Sequence, residues 1–167
     1  KRGPMRVGLI GPGAIANRHA PSYANIGYPI PVCTTHDREV GRRFAAQHGS
    51  VFVETYEEVC SHPDVDFVDV CTFPDFRLQP LEVCAAHGKH VQVQKPMAID
   101  LATARRMIDA AAAANIQLGV VSQHRVDAAS EFMQRALRGG RRVLLLPCDA
   151  SVWGHRPHAY VLRTGEG

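Results

Sequence analysis

Two patterns of hydrophobic and polar positions alternate along most of the chain. Short runs rich in β-branched and other apolar residues are separated by longer stretches in which apolar positions recur at helical spacing. Patterns alternating in this way predict right-handed βαβ units, and therefore an α/β fold with an open, doubly wound parallel sheet. The predicted strands are Met5–Ile10, Ile30–Thr34, Phe67–Thr72, His90–Gln94 and Ile116–Val121.

The ends of several predicted helices are marked by capping residues. Thr55 and Glu58 have the spacing of a capping box that opens a short helix. Gly88 stands where a glycine should close the helix before the His90 strand. Asp100 is placed to cap the alanine-rich helix Leu101–Asn115, whose composition strongly favours helix.

The alternation of short strand patterns and longer helical patterns ends after the strand that finishes at Val121. Ala128–Arg138 predicts one more helix, which the following glycine pair ends, and Arg142–Trp153 predicts one long strand. A lone strand is not stable without sheet partners. We therefore place a domain boundary within Ser122–Asp127 and expect the last segment to belong to a second unit.

Composition and charge narrow the class of protein. The 167 residues are 46% hydrophobic and 21% charged, as in ordinary globular proteins. A net charge of +3, evenly spread, is too weak to predict a nucleic-acid partner. No apolar run is long enough to span a bilayer, and the first residues lack the apolar region of a signal peptide. We expect a soluble, cytoplasmic protein that binds no membrane.

The cysteines show neither a metal-binding nor a redox pattern. None of the five forms a C-x-x-C pair, and an odd number fits a disulfide framework poorly. We expect small buried side chains in a reducing compartment, and no metal site. The cysteines are Cys33, Cys60, Cys71, Cys84 and Cys148.

A glycine-rich turn follows the first predicted strand and opens the first predicted helix. Gly11 to Ala16 read G-x-G-x-x-A, a pattern that binds the pyrophosphate of a dinucleotide in this context. Gly11 allows the tight turn, Gly13 lets the pyrophosphate approach the backbone, and Ala16 permits close packing of helix on strand. Ala14 and Ile15 then place the helix N-terminus, with its partial positive charge, beside the phosphates.

The end of the second strand predicts which dinucleotide is bound. An acidic residue is expected about 20 residues beyond the glycine-rich turn, where it would bind the ribose hydroxyls of NAD. Thr35 occupies that position, with His36 and Arg38 close by. A hydroxyl and two potential cations favour the 2′-phosphate of NADP, whereas Asp37, if it turned inward, would favour NAD.

The carboxyl ends of two further strands are expected to lie at the same ligand-binding edge of the sheet. One strand ends with Thr72, Phe73 and Pro74, and the next ends with the run Gln94–Pro96. Ligands of doubly wound sheets bind at the carboxyl ends of the strands. Lys95 is notable because only three of the 19 Lys and Arg residues are lysines, and only lysine readily exchanges its proton.

These residues resemble the glucose–fructose oxidoreductase, inositol dehydrogenase and MocA-like family over nearly the whole chain. The Lys-Pro pair after Gly-Lys-His-Val is the most specific of the shared motifs. The motifs are Gly11–Ala16 with His19, Asp64–Thr72, Gly88–Val91, Gln94–Pro96, Gly119–Val120 and Ser122–Arg125.

The resemblance implies a Rossmann domain over 1–124 and the start of an α/β substrate and oligomerisation domain over 125–167. It implies an enzyme that transfers a hydride between NAD or NADP and a sugar, cyclitol or related hydroxyl compound, and that forms a dimer or tetramer through the second domain. Lys95 matches the catalytic lysine, and Thr72 and Gln123 match positions that line the cofactor crevice. Candidate substrate contacts are Arg125, Trp153, Arg156 and Tyr160.

The sequence also departs from the family pattern. Gln94 replaces the usual glutamate before Lys-Pro, Phe73 and Pro74 replace the usual Pro-Asn, and Arg77 stands where histidine is common. Two other functions therefore stay open: a glycosidase that uses tightly held NAD, and a nucleotide-sensing regulator without activity. Because the resemblance breaks off within the second domain, we expect the 167 residues to be part of a longer polypeptide that the complete catalyst requires.

Overall fold

The computed structural model describes residues 3–139, 143–147 and 160–164. By its internal contacts the chain divides into two compact units, Lys1–Val121 and Ser122–Gly167. The first unit carries the parallel sheet and most of the helices.

The first unit is built on six strands connected by five helices. The strands are β1 (Val7–Ile10), β2 (Val32–Thr34), β3 (Val51–Phe52), β4 (Phe67–Val70), β5 (His90–Gln94) and β6 (Leu118–Val121). The helices are α1 (Ala16–Asn25), α2 (Arg38–His48), α3 (Tyr56–Ser61), α4 (Leu78–Ala86) and α5 (Leu101–Ala113).

All neighbouring strands of this sheet pair in parallel, in the order β3-β2-β1-β4-β5-β6. The direction of strand addition reverses between β1 and β4, so the switch point of the fold lies between their carboxyl ends. The prediction of a doubly wound α/β Rossmann domain is confirmed.

Helices cover both faces of the sheet, and each face has its own core. Buried residues of α3, α4 and α5, including Leu81 and Met107, pack on one face. Buried residues of α1 and α2, including Ala16, Tyr23 and Phe44, pack on the other. Strands buried on both faces explain the nearly continuous apolar runs of the sequence.

The predicted N-terminal caps are present. The Thr55 hydroxyl accepts the Glu58 amide at 3.3 Å, and the Glu58 carboxylate accepts the Thr55 amide at 2.9 Å. The Asp100 carboxylate accepts the Thr103 amide at 2.7 Å. Both helices therefore begin where the sequence predicts.

Helices α4 and α5 each end with a residue in the left-handed region. Gly88 has a φ of 65°, and the next amide bonds back to the carbonyl of Cys84, which closes α4 as predicted. Asn115 has a φ of 52°, and the amide of Ile116 bonds back to Ala111. The predicted end of α5 was therefore two residues too late, because Asn115 belongs to the turn rather than to the helix.

The strands are shorter than the sequence predicted. Four of the five predicted strands are two residues shorter at one end, because the apolar pattern of the sequence extends into the flanking loops. Strand β3 was not predicted, because its two residues, Val51 and Phe52, are too few to show a pattern. His90–Gln94 is the one strand whose predicted bounds are unchanged.

The cysteines of the described residues are free. Cys33, Cys60 and Cys84 are buried and Cys71 is half-buried, while Cys148 lies outside the described residues. Burial raises the pKa of the Cys33 thiol to about 11, so that it stays protonated at neutral pH.

The second unit contains a helix and a strand pair. Helix α6 (Ala128–Arg138) has its predicted bounds, and Gly139 caps its end. Strand β7 (Val143–Pro147) pairs antiparallel with β8 (Tyr160–Thr164), which the sequence analysis did not predict. Positions 142 and 148–153 of the predicted long strand lie outside the described residues.

Candidate cofactor-binding site

The glycine-rich turn after β1 is shaped by close contact with the end of β4. Gly11 has a φ of 83°, and its amide donates to the carbonyl of Thr34 at 2.9 Å. A Cβ added to Gly11 would lie 3.0 Å from Cγ2 and 3.2 Å from the backbone nitrogen of Thr72. Conformation and space therefore both require glycine here.

Gly13 is a glycine for a different reason. A Cβ added there would meet only the carbonyl oxygen of Gly11, at 3.9 Å, so the protein itself leaves the space beside Gly13 open. The side-chain amide of Asn17 donates to the Gly13 carbonyl at 2.8 Å and holds the turn from the far side. An open backbone at the entrance to α1 fits a dinucleotide pyrophosphate, which must approach this closely.

A groove of about 270 Å³ lies beside the turn, between it and α2. Its polar lining includes Asn17 and Arg43, neither of which the sequence analysis selected. The spacing of the α2 residues, at i, i+3, i+4 and i+7, is that of one helix face and could have revealed them. The lining residues are Pro12, Gly13, Ala14, Asn17, Val40, Arg43, Phe44 and Gln47.

The residues after β2 differ in exposure, and one of them caps the following helix. Thr35 is half-buried, and His36 and Arg38 are exposed. The Asp37 carboxylate caps α2 by accepting the amides of Glu39 at 3.0 Å and Val40 at 3.1 Å. Asp37 is therefore engaged by its own helix.

Arg38 also has a partner of its own. Its guanidinium forms an exposed ion pair with Glu54 at 2.9 Å. Exposed pairs of this kind contribute little and exchange readily.

After β4 the chain makes a short 3₁₀ turn over Pro74–Phe76. The Thr72 hydroxyl donates to the carbonyl of Phe76 at 3.1 Å, which ties the turn to the strand end. Phe73 is 78% exposed and Pro74 is half-buried as the first residue of the turn. Thr72 thus connects the end of β4 to the following turn, and the Phe73 ring is exposed to solvent.

After β5 the three residues of the Lys-Pro motif differ in exposure. Gln94 is buried, whereas Lys95 and Pro96 are exposed. The peptide bond between Lys95 and Pro96 is cis. Lys95 therefore carries its ammonium group at the exposed carboxyl end of β5, one strand from the switch point.

A buried polar network lies beneath this strand end. The Gln94 amide lies 3.0 Å from Nε2 of His19, whose Nδ1 lies 2.7 Å from the Asp69 carboxylate. The same carboxylate oxygen accepts the Tyr23 hydroxyl at 2.8 Å, and the Tyr23 oxygen accepts the Gln92 amide at 2.8 Å. An imidazole protonated on Nδ1 satisfies both of its contacts, because it then donates to Asp69 and accepts from Gln94.

Burial and the charge of Asp69 keep the neighbouring groups protonated. Desolvation, followed by the negative charge of Asp69, raises the pKa of the Tyr23 hydroxyl far above its usual value. The same two causes raise the pKa of the Cys71 thiol. Oδ1 of Asp69 has no hydrogen-bond partner among the described residues.

Three residues of this network have potential metal-ligating atoms within 4.8 Å of one another: His19, Asp69 and Cys71. The closest pair already forms a hydrogen bond at 2.7 Å. A metal ion would also require the Cys71 thiolate, which burial disfavours. The arrangement therefore fits a hydrogen-bond network better than a metal site.

The remaining candidates belong to the second unit or lie outside the described residues. Gln123 and Arg125 are exposed in a 3₁₀ turn over Gln123–Val126. Tyr160 begins β8, opposite Pro147. Trp153 and Arg156 lie outside the described residues.

Within the part of the chain that the structure describes, no helix combines the length and the apolar character needed to cross a bilayer.

A glycine-rich turn that opens a helix at the switch point of a doubly wound sheet defines a class of protein, the dinucleotide-binding Rossmann domains. Residues 5–122 match the oxidoreductase family with an NAD-binding Rossmann fold, Gfo/Idh/MocA. The chain belongs to this family, which confirms the resemblance seen in its motifs.

Curated relatives and solved structures are similar to the chain over most of its length. The 1,5-anhydro-D-fructose reductase of Ensifer adhaerens is 34% identical over 139 residues, which are 81% of this chain and 41% of the reductase. The myo-inositol 2-dehydrogenase of Thermotoga maritima is 30% identical, with the same two shares. The chain therefore spans about two fifths of the length of these relatives.

Among solved structures, the WlbA dehydrogenase from Bordetella pertussis is similar with a TM-score of 0.79 and 25% identity. The match covers 84% of this chain and 42% of that one, and the WlbA structure is a complex with NADH and UDP-GlcNAcA.

Proposed function

We propose that the chain is the cofactor-binding part of an oxidoreductase that moves a hydride between a nicotinamide dinucleotide and a sugar, cyclitol or related hydroxyl compound. The observation that carries this proposal is the open backbone at Gly13, on the same edge of the sheet as Lys95. The names of the relatives support it, since one is a reductase of an anhydrosugar and another a dehydrogenase of a cyclitol.

Each strand end has a distinct task in this proposal. Gly11, Gly13, Ala14 and Ile15 receive the pyrophosphate, and the residues from Thr72 to Pro74 and from Gln94 to Pro96 line the rest of the crevice. When bound, the nicotinamide supplies or accepts the hydride. The Lys95 ammonium hydrogen-bonds the reacting oxygen, to which it gives a proton, or from which it accepts one as the neutral amine.

We further propose that NADP is preferred over NAD. The position that holds the ribose in NAD enzymes carries a neutral Thr35, and the nearest carboxylate, Asp37, is engaged in capping α2. Arg43 lines the adjoining groove and adds a cation that the sequence analysis did not consider. A hydroxyl with nearby cations is suited to a 2′-phosphate.

The second unit belongs to the proposal as well. Residues 125–167 would begin a substrate domain, in which Arg125, Trp153, Arg156 and Tyr160 contact the substrate and through which copies of the protein associate. Gln123 would contact the cofactor. Hydride transfer needs a closed site that excludes water, and a Rossmann domain supplies only one wall of it.

The test is hydride transfer by the full-length protein. We expect NADP⁺ to be reduced in the presence of at least one member of a panel of polyols, cyclitols and sugar acids, followed by the absorbance of the reduced nicotinamide. Lys95→Arg keeps the charge but cannot exchange its proton at neutral pH, so turnover should fall by about 10²–10⁴-fold. Cofactor affinity, measured by calorimetry, should be unchanged and serves as the control for folding.

The same experiment distinguishes the proposed oxidoreductase from a glycosidase and from a nucleotide-sensing regulator. Tightly bound cofactor that is not exchanged, together with cleavage of a glycoside, would replace this proposal by a glycosidase. Bound cofactor without turnover on either kind of panel would replace it by a nucleotide-sensing regulator. Near-normal turnover in Lys95→Arg would show that Lys95 is not the catalytic residue.

A further inference from the structure

A buried arginine lies directly below the strand ends that carry the candidate site. Arg77 follows the 3₁₀ turn after β4 and stands immediately before α4, and only 3% of it is exposed to solvent. Arginine is almost never buried to this extent unless its charge is paired. Among residues 3–139, however, no carboxylate forms an ion pair with it.

The guanidinium instead donates to three backbone carbonyl groups. Nε and Nη2 donate to the carbonyl of Thr72 at 3.0 and 2.5 Å, and Nη1 donates to the carbonyls of both Gln94 and Pro96. Arg77 thus joins the ends of β4 and β5. The residue between the acceptors Gln94 and Pro96 is Lys95.

The geometry of these bonds needs a guanidinium. A planar fork with five N–H groups can donate in three directions at once, whereas an ammonium group is a single point on a flexible stem. Burial lowers the pKa of Arg77, while the nearby charge of Asp75 acts in the opposite direction. Because arginine remains charged in proteins, the carbonyl dipoles share with Asp75 the stabilisation of a full positive charge. The backbone on either side of Lys95 is therefore held by charge-assisted bonds, which are the stronger kind.

We propose that Arg77 is a positioning residue for Lys95: by fixing the carbonyls of Gln94 and Pro96, it sets the direction in which the Lys95 ammonium enters the crevice. The inference rests on the proposed function in that it takes Lys95 as the residue that acts on the substrate. Arg77 itself does not touch substrate or cofactor. Histidine, common at this position in the family, has two ring N–H groups at most and could not make the same set of bonds.

The first experiment compares Arg77→Lys and Arg77→His in the full-length protein. A misplacement of about 1 Å can reduce turnover by about 10²-fold, so we expect kcat to fall between about 10- and 100-fold. The cofactor Kd should change by less than about threefold, a shift of under 1 kcal/mol. Arg106→Lys is the matched control, because Arg106 is exposed on α5 and its ion-pair partner among the described residues is Glu82. An unchanged kcat in both Arg77 variants would overturn the proposal.

A double-mutant cycle separates positioning from a general effect on the fold. If Arg77 acts through Lys95, Arg77→Lys should have no further effect on kcat once Lys95→Arg is present. A full additional fall in kcat in the double variant would show that Arg77 acts by another route, and would also overturn the proposal.

A third readout does not need turnover. Reductive methylation with an isotope-labelled reagent places NMR-visible methyl groups on lysine side chains, and Lys95→Arg identifies the Lys95 signal. Lys89 provides an internal reference, because its ammonium group donates to the carbonyls of His62 and Val65, away from Arg77. In the wild type, adding NADP⁺ should shift the Lys95 signal.

In Arg77→Lys, the change in the Lys95 chemical shift on adding NADP⁺ should be at most half of that in the wild type. The Lys89 chemical shift should not change. An unchanged Lys95 shift would contradict the positioning role even if the protein proved to have no activity. Conversely, a reduced shift in a protein without turnover would support the role of Arg77 and count against the proposed oxidoreductase function alone.

Discussion

At the residue scale, Asp37 shows that a carboxylate close to the expected ribose-binding position can have a different structural role. Asp37 lies within two residues of the expected ribose-binding acid, yet its side chain accepts two amides of its own helix. A cap of this kind stabilises a helix by about 1 kcal/mol, which the carboxylate would lose if it turned toward the ribose. The proposed preference for NADP therefore depends on Thr35 and its cationic neighbours.

We expect Thr35→Asp to shift the preference from NADP toward NAD. A carboxylate about 4 Å from a 2′-phosphate repels it by about 1–4 kcal/mol, so the ratio of the two Kd values should change by at least about tenfold. Ser61→Asp adds the same charge at the exposed end of α3, on the other face of the sheet, and should leave the ratio unchanged. Calorimetric titration with each cofactor measures the ratio, and an equal ratio in wild type and Thr35→Asp would remove Thr35 from the ribose site.

Residue identity alone could not reveal the network around Asp69. Asp69 alternates with valines in β4, and the sequence shows only a charged residue in a buried strand. Its partners come from α1, and the network reaches Gln94 through His19, which is 75 positions away along the chain. The family motif identified His19 and Gln94 separately, and only the fold shows that they meet.

At the scale of single elements, the helix caps were predictable because the interactions are local. Each involves side chains and amides within three residues, so the spacing in the sequence is enough. Strand ends were less predictable, since a strand ends where its neighbours end. The two-residue strand β3 exists only because β2 lies beside it.

The cap of α5 also predicts part of the acid sensitivity of the fold. Hydrogen bonds from Thr103 lower the pKa of Asp100. A group whose folded pKa is lowered contributes stability above its unfolded pKa of about 3.9, and that contribution is lost as the pH falls through the folded pKa.

Asp100→Asn keeps a capping oxygen but does not titrate, so its melting temperature should fall less steeply than that of the wild type on acidification below about pH 4. Glu58 and Asp66 also have lowered pKa values and remain in both proteins. Thermal unfolding over a pH series measures the slopes. Parallel slopes would mean that Asp100 does not contribute to acid unfolding.

At the scale of the whole molecule, the chain order of strands and helices was enough to predict the doubly wound sheet. The handedness of βαβ units leaves few alternatives once the elements alternate. The site was predicted in outline for the same reason, because the carboxyl ends of parallel strands meet at one edge. The helical spacing of the α2 residues offered a signal for the groove that Arg43 lines. The Arg77 bonds could not be predicted, because they depend on which carbonyls come together in space.

The central claim is that a dinucleotide binds with its pyrophosphate against the open backbone at Gly13. Calorimetric titration of the full-length protein with NADPH and NADH, in the wild type and in Gly13→Val, tests it most directly. A Cβ added at Gly13 meets only the carbonyl oxygen of Gly11, at an ordinary contact distance, so the variant should fold. Gly119→Val, on β6, is the matched control, since its added Cβ also meets only one carbonyl oxygen, that of Val91, at 3.9 Å. We predict that Gly13→Val weakens binding at least about tenfold, or about 1.4 kcal/mol, while Gly119→Val leaves it unchanged. Equal affinity in a folded Gly13→Val protein would contradict the account.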